Sequence, residues 1–100
     1  MYIYNVTIKV EPHRATEWLD WMRNIHIPEV LETGYFLESR ICKIVNDEDP
    51  EDFTFAVQYT CSTLADYEQY QKNKAPALQK EMRNLFGDDA FAFRTLMEIL

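Results

Sequence analysis

The hydropathy period changes along this chain in the order two, helical, two, two, helical, two, and that order leaves few folds open. Tyr2 to Val10 sets Tyr2, Tyr4, Val6, Ile8 and Val10 on one side and Ile3, Asn5, Thr7 and Lys9 on the other, a strand of β-branched and aromatic residues. Glu11 and Pro12 stop it, and Pro12 suits a first helical turn, where its missing N–H costs nothing. From about His13 the spacing predicts a helix with Ala15, Trp18, Leu19, Met22 and Ile25 inward and Glu17, Asp20, Arg23 and Asn24 outward. Pro28 disfavours α geometry at Ile27, so the helix is expected to break or kink at His26 and Ile27. A short turn from Pro28 to Thr33 then closes at Gly34, a natural left-handed cap.

Phe36 to Val45 reads as a second strand, with Leu37, Ile41 and Val45 on one side and Glu38, Arg40, Cys42 and Ile44 on the other. The acidic run Asn46 to Asp52 is a loop and lacks the carboxylate spacing and glycine of a calcium site. Phe53 to Cys61 is a third strand, joined to the second as a hairpin that sets Arg40 opposite Gln58 and Glu38 opposite Thr60. Thr63 with Asp66 resembles a capping box for a helix carrying Leu64, Tyr67 and Tyr70 inward, interrupted at Asn73, Lys74, Ala75 and Pro76. A further helical stripe of Leu78, Met82, Leu85 and Phe86 stops at Gly87, and Ala90 to Leu100 alternates again as the last strand.

Strand, helix, strand, strand, helix, strand is the split βαβ order of an α+β, ferredoxin-like domain. Both proline-broken helices then lie on one face of a four-stranded antiparallel sheet, and residues 1–100 form a single domain. Tyr4, Val6, Ile8, Leu37, Ile41, Phe55 and Val57 are expected under the helices. The other face would carry Ile3, Asn5, Thr7, Glu38, Arg40, Cys42, Ile44, Ala56, Gln58, Arg94, Leu96 and Glu98. Two readings of that mixed face stand: a homodimer pairing two open sheets into a barrel, or a solvated face with cross-strand ion pairs.

Charge excludes several function classes. Ten Lys and Arg against seventeen Asp and Glu give a net charge of -7, which repels nucleic-acid phosphates and anionic lipid. Cys42 and Cys61 have neither zinc-ligand spacing nor a partner base, so no metal is expected and both read as small reduced thiols. No secretory leader or membrane-length apolar run is legible, and the reading is a cytoplasmic protein. With only two glycines, Gly34 and Gly87, there is no phosphate-cradling loop, and no cofactor is expected.

The candidate site centres on His26, whose ordinary pKa suits proton transfer and which sits at the expected backbone break. The competing reading is a histidine that caps the freed carbonyls beside Pro28. Trp18 reads as core packing or as a stacking surface for a ligand. Asn5, Arg40, Gln58 and Arg94 fall together on the open face as anchors for a small anionic or carbonyl-bearing ligand, or as partners of Glu38 and Glu98.

The segments Tyr4-Asn5-Val6-Thr7, Trp18 to Gly34 with His26-Ile27-Pro28-Glu29 at its centre, Ala75-Pro76-Ala77-Leu78 and Phe91-Ala92-Phe93-Arg94-Thr95-Leu96 carry a resemblance over the whole chain. Together they resemble an uncharacterised bacterial domain-of-unknown-function family of Bacteroidetes type, itself similar to the dimeric α/β-barrel superfamily. The resemblance implies a dimer of ferredoxin-like subunits and brings no reaction with it. Where the family pattern has histidine before Ala-Pro, this chain has Lys74, so a two-histidine mechanism does not carry over. The wider superfamily includes cofactor-independent quinone-forming monooxygenases, haem-degrading enzymes, lactone isomerases and ligand-sensing domains. The haem-degrading pattern needs a second-helix histidine, which Thr63 to Phe86 does not supply. The expectation is a dimer that binds or transforms a small aromatic or carbonyl compound without a cofactor, with His26 as acid or base; the alternative is a noncatalytic dimerisation or ligand-sensing module.

Overall fold

Strands β1 (Tyr2–Val10) and β3 (Phe53–Cys61) form the centre of an antiparallel four-stranded sheet in the computed structural model, which describes residues 1–100. Strand β2 (Glu38–Lys43) flanks β3 and strand β4 (Ala90–Glu98) flanks β1, giving the ferredoxin-like order β2-β3-β1-β4. The hairpin register is the expected one, with Arg40 opposite Gln58 and Glu38 opposite Thr60. Strand β2 is shorter than its sequence pattern, and Leu37 lies outside it, 62% exposed rather than under the helices.

The helical layer comprises α1 (Ala15–Trp21), α2 (Ile27–Glu32), α3 (Leu64–Asn73) and α4 (Ala75–Phe86). Tyr4, Val6, Ile8 and Val10 of β1 meet Phe55, Val57, Tyr59 and Cys61 of β3 beneath this layer, all of them buried. Fully burying one such side chain contributes on the order of 2 kcal/mol, so this double row dominates the stability of the sheet–helix packing. Trp18 is completely buried and packs, tilted by 33°, on Phe55 at 4.9 Å between ring centroids.

The proline at 28 does not break its helix. Between α1 and α2 the chain passes through a π-helical turn, Met22–His26, and the Ile27 N–H bonds the Met22 carbonyl five residues back. The wider turn takes up one extra residue and so tolerates the donor that Pro28 lacks without leaving helical geometry. It also rotates the inward face. Met22, His26, Ile27 and Val30 become buried, while Ile25, expected inward, is 45% exposed. The second interruption is real: Lys74, at φ −123°, separates α3 from α4, and Pro76 opens the new helix. Thr63 caps α3 by accepting from the Asp66 N–H at 3.1 Å.

The largest correction concerns β4. Its pairing sets Arg94 opposite Val6, Leu96 opposite Tyr4 and Ala92 opposite Ile8, so Arg94, Leu96 and Glu98 belong to the helix-covered side rather than the open one. Phe91, Phe93, Thr95 and Met97 take the open face beside Lys9, Thr7, Asn5 and Ile3. Strand β4 is an edge, and its helix-side row is only partly covered, so the apolar side of the strand does not mark the core. Arg14 ties the two halves of the helical layer together: it donates to Asp89 at 2.9 Å, to the Leu85 carbonyl at 3.0 Å and to Glu17 at 3.1 Å, with its guanidinium over the Phe86 ring.

Candidate functional site

The π turn brings His26 under the helices, where its imidazole stacks on Trp21 at 4.7 Å between ring centroids and 27° between planes. Trp21 in turn packs on Phe86, the last residue of α4, so both helical halves fix the ring. His26 is 7% exposed, and its Nδ1 has no hydrogen-bond partner. Burial, with the positive charge of Arg94 as a second cause, lowers its pKa to about 4. The imidazole is therefore neutral at neutral pH, offering one donor and one acceptor nitrogen.

His26 lines a cleft between the sheet and α4. Its floor is Tyr4, Val6 and Ile8 of β1 with Val57 and Tyr59 of β3; its roof is Leu78, Gln79 and Met82 of α4; Arg94 of edge strand β4 also lines it. The enclosed cavity is small, about 30 Å³, and opens to solvent at its mouth. That is room for ordered water in the resting state, and unbranched Met82 on the roof is the wall most able to move aside. A shallower groove along Gln79, Met82, Arg83, Ala90, Ala92 and Arg94 continues from the cleft between α4 and β4.

The inner end of the cleft is aromatic. Tyr4 packs within 6.1 Å of Phe36, Tyr59, Tyr67 and Tyr70, and Phe36 meets Tyr70 edge-on at 4.8 Å. The Tyr59 hydroxyl is buried and, like His26 Nδ1, has no partner. Burial pushes the Tyr59 and Tyr70 phenols well above their ordinary range, so both stay protonated. An apolar slot holding a neutral imidazole, a protonated orphan phenol and one guanidinium can hydrogen-bond a carbonyl or hydroxyl and attract negative charge. No group of three or more His, Cys, Asp and Glu side chains gathers into a metal site, and no helix is long and apolar enough to cross a membrane.

A family profile described as a domain of unknown function, DUF4286, matches residues 1–100. The chain belongs to the DUF4286 family. No curated protein matches it. Its fold is similar to that of an ethyl tert-butyl ether (EthD) family protein from Bacillus halodurans, with TM-score 0.70, 12% identity and 100% of each chain covered. It is also similar to a dimeric ferredoxin-like protein from an uncultured marine organism, with TM-score 0.67, 12% identity, and 100% of this chain and 95% of that one covered. A candidate antibiotic biosynthesis monooxygenase from Deinococcus radiodurans gives TM-score 0.67 at 10% identity over 100% and 93% of the two chains. At these identities the likeness shows the ferredoxin-like fold of this DUF4286 chain.

The six residues singled out from sequence divide between two faces. His26 and Arg94 line the cleft. Asn5 and Gln58 are hydrogen-bonded to each other at 3.2 Å on the open face, where Arg40 and Gln58 border a polar depression with Glu38 and Thr60. Trp18 lies in the closed core and does not line the cleft. In this DUF4286 chain, sequence reasoning missed Tyr59, Tyr70, Gln79 and Met82 as cleft residues. A signal for Tyr59 was present: a phenol on the inward face of a central strand needs a partner for its hydroxyl, and its row offers only the Tyr4 phenol and Ser39 on the neighbouring strands.

Proposed function

We propose that this protein is a small homodimer that binds an aromatic or carbonyl compound in the cleft between sheet and α4, without a cofactor. The observation that supports it is the pairing of an apolar, solvent-connected cleft with two buried polar atoms that lack partners, His26 Nδ1 and the Tyr59 hydroxyl. Each such orphan costs about 1–3 kcal/mol, which a ligand carbonyl or hydroxyl would recover. The open sheet face, now including Phe91, Phe93 and Met97 beside Ile3, supports subunit pairing through that face, with Asn5, Arg40 and Gln58 setting register inside the barrel. Free Cys42 and Cys61, on opposite sheet faces, fit a reducing, cytoplasmic setting.

A histidine with a pKa of about 4 is a weak general base at neutral pH, and this favours the noncatalytic, ligand-sensing form of the proposal over cofactor-free proton transfer or oxygenation. The test is naphthol titrated into the intact protein, followed by methyl resonances of Val6, Val57, Leu78 and Met82 and repeated with His26→Ala. Saturable shifts confined to those methyls, weakened about tenfold in a variant that stays folded and dimeric, are expected for loss of one buried hydrogen bond. Methyls that do not move at all would sink the reading.

A further inference from the structure

Arg94 is the single charged side chain lining the cleft, and no Asp or Glu faces it there. The ion pairs of the chain are His13 with Asp89 and Arg14 with Glu17 and Asp89, so the Arg94 guanidinium is in none of them. It projects from an edge strand, exposed, on the same cross-strand row as Val6 and Val57 of the floor. The adjoining row carries Leu96, Tyr4 and Tyr59. From the β4 edge to the strand bearing Tyr59 is two strand spacings, about 10 Å, the scale of a fused aromatic ring pair.

These positions give the cleft a polarity. One end holds a fixed positive charge at the solvent-facing lip. The middle is apolar, with Val6, Ile8, Val57, Leu78 and Met82. The cleft also holds two neutral hydrogen-bonding groups whose polar atoms are buried and unpartnered, His26 and Tyr59. A cation would meet like charge at the lip and no carboxylate inside. A neutral ligand would gain nothing from the guanidinium, which solvent already hydrates at the lip. An anion with a flat apolar body meets every group, because its carboxylate can take the two parallel N–H donors of a guanidinium.

We infer that the ligand of this cleft is a planar aromatic carboxylate, its carboxylate held by Arg94 at the lip and a hydroxyl or carbonyl elsewhere on its rings held by His26 or Tyr59. The inference rests on the cleft being the binding site, as proposed above, and adds the charge and orientation of what it takes. The net charge of -7 repels anions overall, so retention of one in this cleft depends on the local charge of Arg94.

The experiment compares hydroxynaphthoate with its methyl ester on the intact protein by calorimetry, with the cleft methyl resonances confirming the location. Wild type is expected to bind the acid at least about tenfold more tightly than the ester, in line with a charge-assisted bidentate hydrogen bond. Arg94→Gln is expected to bring the two affinities together, chiefly by weakening the acid's, and Arg94→Lys to restore part of the preference through its point charge. Equal binding of acid and ester by wild type, both moving the cleft methyls, would overturn the anion while leaving the cleft reading intact. Full preference for the acid in Arg94→Gln would overturn the assignment to Arg94. If neither compound moves those methyls, the cleft reading itself fails and this inference falls with it.

Discussion

The imidazole of His26 lies against the indole of Trp21, ring centroids 4.7 Å apart, in a turn that is wider than an α-helix by one residue. The contact couples a backbone irregularity to a titration. The π turn carries His26 inward, Trp21 covers one face of the ring, and the resulting loss of solvation holds the imidazole neutral.

Stability should therefore fall with acid over a defined window. The folded pKa of about 4 lies below the unfolded value of 6.5, so between them the unfolded chain binds the extra proton and folding weakens as pH drops. The contribution is fully present above the unfolded value, and the loss is complete near the folded one. Its full size is about 3 kcal/mol, from the constant of 1.36 kcal/mol per pKa unit. Urea denaturation of wild type and His26→Gln across this range checks it. The variant should lack that part of the slope, and identical pH profiles would contradict the burial argument.

Tyr59→Phe removes a buried hydroxyl that has no partner and leaves the ring packed against Tyr4 and Phe36. The ligand-free protein is expected to gain about 1 kcal/mol, because the folded state no longer strands a desolvated polar group. Thermal or urea denaturation reads the change directly. A loss of similar size would mean that the hydroxyl is satisfied in the resting protein.

Deleting Ile25 should leave a folded but weakened chain. It is exposed within the π turn, and its removal turns the Ile27-to-Met22 hydrogen bond into an ordinary α bond with the faces of α1 and α2 aligned, but it also sets the Pro28 ring against the Arg23 carbonyl in a regular α turn. Deleting Glu17 from α1 instead rotates Trp18 and Trp21 out of the core and should abolish folding. Circular dichroism with thermal melts separates the two, with the Ile25 deletion retaining a cooperative transition and costing about 3 kcal/mol, the penalty of a proline in a helix interior.

Phe93→Asp places a charge on the open sheet face at a residue 56% exposed in the single chain. If the proposed dimer uses this face, the expected result is a folded monomer in sedimentation at concentrations where wild type associates, with subunit stability changed by no more than about 0.5 kcal/mol. A variant that sediments as wild type would place the subunit contact elsewhere.

How far the sequence carried the argument depends on the strand. Tyr2–Val10 and Phe53–Cys61 were legible residue by residue, because both are central strands with one face fully covered, and burial then imposes strict alternation. β4 misled for the opposite reason. Its Phe91 and Phe93 are more apolar than Ala92 and Arg94, yet pairing with β1 turns them to the open face. An edge strand covered weakly on both sides has no one-sided hydrophobic pattern to declare its phase. The candidate site inherited that error, since Arg94 was grouped with Asn5, Arg40 and Gln58 and instead joins His26 across the sheet.

What the sequence determined by itself is the ferredoxin-like order of elements and the hairpin register, both of which follow from local periodicity and backbone chemistry. What only the tertiary structure decided is which way His26 points, that Pro28 widens its helix instead of breaking it, and that Arg94, Tyr59 and His26 share one cleft. Those outcomes depend on strand pairing and on helix rotation over the sheet. The free energy that selects them comes from contacts between residues far apart in the chain, which no local pattern records.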